Sequence, residues 1–168
     1  MKGKMRYQYL VEGECERKLI QILKENSLII SGKVDLLNVV QEKLTNMRLR
    51  PLLEKTIVIL VFDTDIQDTK ILHENIRILH ADSRVNAVWC VPQVLNLEDE
   101  LIRSTNIREI KELLNCQSNK DFKHSFIQER RLMEKLQLHA FDINSFWAAK
   151  VPDNFVGIPN DGERIKLC

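Results

Sequence analysis

The apolar positions follow two rhythms over the first half of the chain. Residues 5–11 hold Tyr7, Tyr9, Leu10 and Val11 and stop at Glu12-Gly13, which predicts a first strand. Over residues 14–26, Cys15, Leu19, Ile22 and Leu23 recur at i, i+4, i+7 and i+8, the spacing of one helix face. Arg17, Lys18, Gln21, Lys24 and Glu25 take the wet face. A second strand is predicted over 33–37, after Gly32. A second helix follows with Val40, Leu44 and Met47 as its stripe, stopping near Arg50 because Pro51 disfavours helical dihedrals before it. Thr56 to Phe62 is continuously apolar and β-branched, as suits a strand covered on both faces. A third helix is predicted over 67–80, with Leu72, Ile76 and Leu79 inward, and a fourth strand over 85–91, ended by Pro92. Strand and helix thus alternate through residue 92. The order predicts an α/β fold, a Rossmann-like α/β/α sandwich around a four-stranded, mainly parallel sheet with right-handed crossovers.

Beyond Pro92 the pattern changes. Asn96 is placed to cap a short helix over 97–103. Asn106 with Glu109 matches a capping box opening a helix through Leu114. Another helix is predicted over 120–136, with Phe122, Phe126, Met133 and Leu136 apolar. From Phe141 onward periodicity fades, and Phe146, Trp147, Pro152 and Pro159 suit an irregular tail. The expected organisation is an α/β core over 1–95, with a helical extension and tail over 96–168 packed on the same domain.

Composition narrows the class. The 168 residues are 44% hydrophobic with a formal net charge of +1, which excludes a disordered chain and a strongly basic DNA-coating protein. A local basic groove is still compatible with that balance. There is no apolar run of membrane-spanning length. The basic start, Met1 to Arg6, turns acidic at Glu12, too soon for a signal peptide, so a cytoplasmic protein with no membrane association is expected. Cys15, Cys90, Cys116 and Cys168 form no C-x-x-C pair and read as free thiols. His73, His80, His124 and His139 show no metal-binding spacing.

Candidate chemistry lies where an open parallel sheet binds ligands, outside the carboxyl ends of its strands. The first strand leads to Glu12-Gly13, then Glu14 and Glu16; the third to Asp63-Thr64-Asp65 and Asp68; the fourth to Glu98, Asp99 and Glu100. Such carboxylates repel one another when packed together, and a divalent cation with a taste for oxygen, Mg²⁺ or Mn²⁺, relieves the repulsion. Without it, at least one carboxyl tends to keep a proton. Alternation points Asp63 and Asp65 the same way, Gly13 permits a tight turn, and Glu16 in the first helical turn can reach back toward Glu12. Acids in a first helical turn also complement the helix dipole without any ligand.

Val11-Glu12-Gly13-Glu14-Cys15-Glu16 and Val61-Phe62-Asp63-Thr64-Asp65 together resemble the Toprim domain, most closely its OLD-like and RloB-like branch. The resemblance covers roughly residues 5–92. It implies a Rossmann-like fold, bound Mg²⁺ or Mn²⁺, and cleavage or transfer of phosphodiesters. By that resemblance Glu12 is the general acid/base or a metal ligand, Asp63 and Asp65 are the metal-binding pair, and Glu16 is the second acid of the OLD-like form. Asn96-Leu97-Glu98 is faintly similar to an acid-bearing segment of RloB-like proteins, which adds Glu98 to the metal candidates. The glycine that follows D-x-D in topoisomerases is missing from Ile66-Gln67-Asp68-Thr69. No tyrosine-bearing breakage domain or ATPase domain accompanies the motifs.

The expected activity is a metal-dependent nuclease acting on DNA or RNA, in phage defence or nucleic-acid processing. The alternative is a non-catalytic Toprim-like binding or regulatory subunit, working with a protein partner or as a homo-oligomer. A receiver-like phosphoryl switch fits less well, because Val91-Pro92-Gln93 offers no hydroxyl after strand four and no fifth strand is evident. Arg48, Arg50, Lys120, Lys123, Arg130 and Arg131 are candidate phosphate contacts, although Asp121, Glu129 and Glu134 interleave with the late ones. Cys15 and Trp89 read as core. Trp147 either packs the tail or stacks on a base.

Overall fold

The computed structural model describes residues 4–167. Its elements run β1 (Arg6–Val11), α1 (Glu14–Glu25), β2 (Lys33–Leu36), α2 (Asn46–Leu49), β3 (Thr56–Asp63), α3 (Lys70–Ala81), β4 (Val85–Gln93), α4 (Leu97–Arg103), α5 (Phe122–Gln128), α6 (Leu132–Leu138) and α7 (Gly162–Ile165). Two 3₁₀ turns, Ile110–Leu114 and Asn119–Asp121, lie between α4 and α5. The four strands pair in the order β2-β1-β3-β4, all parallel. This is a Rossmann-like α/β architecture. Among the described residues no helix is long and apolar enough to cross a membrane.

The alternation inside β3 explains why its sequence is apolar throughout. Ile57, Ile59 and Val61 face α1, α4, α5, α6 and the tail residues Phe146 and Trp147. Val58, Leu60 and Phe62 face α3, the 37–52 segment and Phe155. Burying one such side chain is worth about 1.5–3 kcal/mol, so the central strand anchors two cores at once. Gly32 supports the sheet by close approach: a Cβ there would lie 2.6 Å from the Tyr7 carbonyl oxygen.

Several sequence expectations need correction. The helix placed over the Val40–Leu44–Met47 stripe is absent apart from α2; Val40 and Leu44 are buried but Met47 is exposed. The buried Asn75 side chain holds this segment in another conformation. Its Oδ1 accepts the Leu44 N–H at 2.8 Å, and its Nδ2 donates to the Val39 and Glu42 carbonyls. Pro92 does not end β4, which continues to Gln93. As an edge strand β4 tolerates a residue without an N–H. The helix expected through Leu114 is a 3₁₀ turn whose capping box joins Glu109 and Glu112, not Asn106 and Glu109. The helix expected over 120–136 is split into α5 and α6 around Glu129–Arg131. Beyond β4 the chain forms α4, the two 3₁₀ turns, α5, α6 and α7, and Asn96 caps α4 by accepting the Asp99 N–H.

Candidate metal centre

Strand register places the acids. Val11 pairs with Val61, so Glu12 emerges beside the end of β3, and Asp63 pairs with Gln93 at the end of β4. Asp63 continues the face of Ile57, Ile59 and Val61, and Gln93 continues that of Val91, so both turn toward α1. Glu16, buried in the first turn of α1, faces them. Gly13 is extended (φ −150°) and supplies space, not an unusual turn: a Cβ would sit 3.2 Å from Glu16 Oε2.

The contacts are close. The Asp63 N–H donates to Glu12 Oε2 at 3.3 Å, and Gln93 Nε2 donates to Asp63 Oδ1 at 2.6 Å. Burial and the neighbouring Glu12 push the Asp63 carboxyl up to about 8. Burial is also the main cause that raises Glu12 and Glu16 above the usual carboxylate range, with the Asp63 N–H opposing it at Glu12 and Gln93 helping to oppose it at Glu16. The carboxyls are thus crowded, poorly hydrated and short of cationic partners.

Glu12, Asp63, Asp65 and Glu98 line a common cleft of about 520 Å³ together with Lys123, and Glu12, Glu16, Asp63, Glu98 and Lys123 line the adjoining one. Asp65 is exposed at the rim, while the buried Thr64 between the two aspartates bonds the Gln93 carbonyl and the Leu95 N–H. Lys123, from α5, lies 3.6 Å from Glu98 Oε1, and its own pKa is raised, first by Glu98. Among the described residues, no three Asp, Glu, His or Cys side chains are already gathered in metal-ligand geometry. The donor set nevertheless suits a hard cation: Asp63, Asp65 and Glu16 offer oxygen only, and Asp63 is held in a state that a nearby cation would relieve.

The structure separates the other sequence candidates. Glu100, expected at the acidic edge, turns inward and is fully buried, while Glu14 pairs with the exposed Arg17. Lys120, Lys123, Arg130 and Arg131 do not share one helix; only Lys123 enters the cleft, and Arg131 pairs with Glu134. Arg48 reaches the Leu36 carbonyl at the end of β2. Arg50 lies near the amino ends of the strands, where its carbonyl accepts from Arg84 just before β4, away from the acids. Trp147 is 1% exposed and cannot stack on a base. Cys15 and Cys90 are buried free thiols pushed up to about 11 and about 12 by burial. Cys116 is a free, half-buried thiol, and Cys168 lies outside the described residues. Sequence reasoning missed Gln93, an uncharged residue whose only signal was its position just past the apolar run of β4.

The fold and this edge define the class: an all-parallel α/β protein with carboxylates assembled at the carboxyl ends of its strands. Comparison with protein-family models, curated proteins and solved structures finds no significant match.

Proposed function

We propose that the chain is a divalent-metal-dependent nuclease of Toprim type, hydrolysing phosphodiester bonds of DNA or RNA. The observation that carries this reading is the approach of Glu12 to Asp63, residues 51 positions apart, in a cleft where burial first, and then neighbouring acids (Glu16 and Asp65 at Glu12, Glu12 at Asp63), raise the carboxyls. Acids that merely solubilise a surface or complement a helix dipole need no such burial.

Asp63 and Asp65 would hold Mg²⁺ or Mn²⁺, with Glu16 and Glu98 at hand for the same or a second ion. Bound there, the ion supplies Lewis acidity toward a phosphate oxygen. Glu12 would take the proton of the attacking water as the water oxygen bonds to phosphorus; the P–O ester bond breaks, and the departing alkoxide takes a proton from solvent. Its raised pKa brings it closer to the operating pH of a general base. Lys123, exposed at the cleft mouth, attracts the incoming phosphate and screens Glu98.

The test incubates the purified protein and its Glu12→Gln and Asp63→Asn variants with duplex DNA, single-stranded DNA, structured RNA and tRNA in Mg²⁺ or Mn²⁺. Metal-dependent cleavage that both substitutions reduce at least about a hundredfold supports the proposal. Cleavage unaffected by both overturns it. Mn²⁺ binding without cleavage of any substrate favours a regulatory subunit whose partner performs the chemistry.

A further inference from the structure

The tail that follows α6 reaches the acidic edge through one side chain. Gln93 is 1% exposed, and every polar group it has near the site is engaged. Its Nε2 donates to Asp63 Oδ1 at 2.6 Å, while its Oε1 accepts the indole N–H of Trp147 at 3.4 Å. An indole nitrogen only donates, so Trp147 fixes which end of the amide is oxygen. The NH₂ end is then presented to Asp63. Without the indole that constraint on the amide is lost, and a turned-over amide sets its oxygen against the Asp63 carboxyl.

Trp147 is held in place for this at a cost. Its φ is +57°, a left-handed conformation unusual for a bulky residue. Three groups hold it there. Its N–H donates to Glu100 Oε2 at 3.1 Å, its carbonyl accepts from Asn160 Nδ2 at 2.9 Å, and Gly162 passes so close that a Cβ would lie 2.9 Å from that carbonyl oxygen. Backbone strain of this kind costs on the order of 1–3 kcal/mol and persists only where the surroundings enforce it.

We infer that Gln93, oriented by Trp147, is a positioning residue that sets Asp63 for its ligand, so that the tail following α6 is part of the site. The inference rests on the metal-site reading above for its purpose, but its geometry stands apart from it. Outer partners that orient ligating carboxylates commonly change metal affinity about tenfold or more when removed.

The experiment uses the full chain with Trp147→Phe, which keeps a ring and removes the indole N–H, and Gln93→Met, which keeps the length and removes the amide. Melting curves confirm that each variant folds. The side-chain amide protons of Gln93 are followed by NMR, and Mn²⁺ affinity by electron paramagnetic resonance. In the parent protein the Gln93 amide should give two well-separated, slowly exchanging proton signals. In a folded Trp147→Phe variant they should converge and exchange faster, and both variants should bind Mn²⁺ about tenfold more weakly. Unchanged amide signals in Trp147→Phe, or unchanged Mn²⁺ affinity in both variants, would overturn the inference. A parent protein that binds no Mn²⁺ would overturn the metal reading and the purpose assigned to Gln93, while the amide signals would still decide whether Trp147 orients it.

Discussion

The molecule encloses carboxylates in two contrasting ways, burying Glu100 and Asp161 and leaving Glu12 and Asp63 half-buried. Beneath α4 and the tail, Glu100 and Asp161 are saturated with donors. Glu100 Oε1 takes the Val94 N–H and the Arg103 guanidinium, and Oε2 takes the Trp147 N–H. Asp161 takes the Cys90 N–H on one oxygen and Arg164 on the other. At the carboxyl edge of the sheet, Asp63 has a neutral amide for a partner and Glu12 a single main-chain N–H. The first pair ties segments together; the second set waits under electrostatic stress. Burial of an acid therefore does not by itself mark a site here, since Glu100 and Asp161 are buried with their donors in place.

The sharpest way to break this contrast is at Glu100. Replacing it with alanine strands two main-chain donors and Arg103, and should cost about 3–5 kcal/mol of folding stability, read from urea unfolding. A cost under about 1 kcal/mol would mean that Glu100 is not the structural acid described.

The opposite sign is expected at Asp63. A folded-state carboxyl at about 8 holds a proton that the unfolded chain releases near pH 4, so the folded state binds more protons between those values. Stability of the metal-free protein should therefore fall as pH rises from about 4 to about 8 and level off above. Glu12 and Glu16, raised by the same burial, push in the same direction. Asp63→Asn keeps an oxygen for Gln93 and removes the charge. It should stabilise the metal-free protein at pH 8 by about 0.5–2 kcal/mol, flatten the pH dependence, and lose Mn²⁺ binding. A variant less stable than its parent at pH 8 would show that the Asp63 carboxylate is compensated after all.

Much of this was readable in the sequence, and the failures share a cause. The β1 and β3 runs, the α1 stripe and the Asn96 cap depend on neighbours in sequence, and their spacing gave the parallel sheet and put Glu12, Glu16, Asp63 and Asp65 at one edge. What stayed hidden depends on side chains arriving from far along the chain. Asn75 turns the segment around Leu44 away from a helix, over a separation of 31 residues. Trp147 reaches Gln93 over 54 residues. Glu100 looks like its acidic neighbours Glu98 and Asp99, and only the folded tail decides that it faces inward.

The smallest effect on stability is expected at Lys123, and there it is most informative to compare stability with binding. Its side chain is 73% exposed and its contact with Glu98 is 3.6 Å, so Lys123→Ala should change unfolding free energy by no more than about 0.5 kcal/mol. Yet Lys123 is the cation that lines both acidic clefts, and it favours the charged forms of Glu12 and Glu16. Removing it should raise those two carboxyls further and weaken nucleic-acid binding, measured without metal by fluorescence anisotropy across a salt series. A phosphate-contacting lysine should contribute close to one unit to the slope of log affinity against log salt. An unchanged slope in the variant would reduce Lys123 to a surface partner of Glu98 and leave the phosphate to be held by other groups.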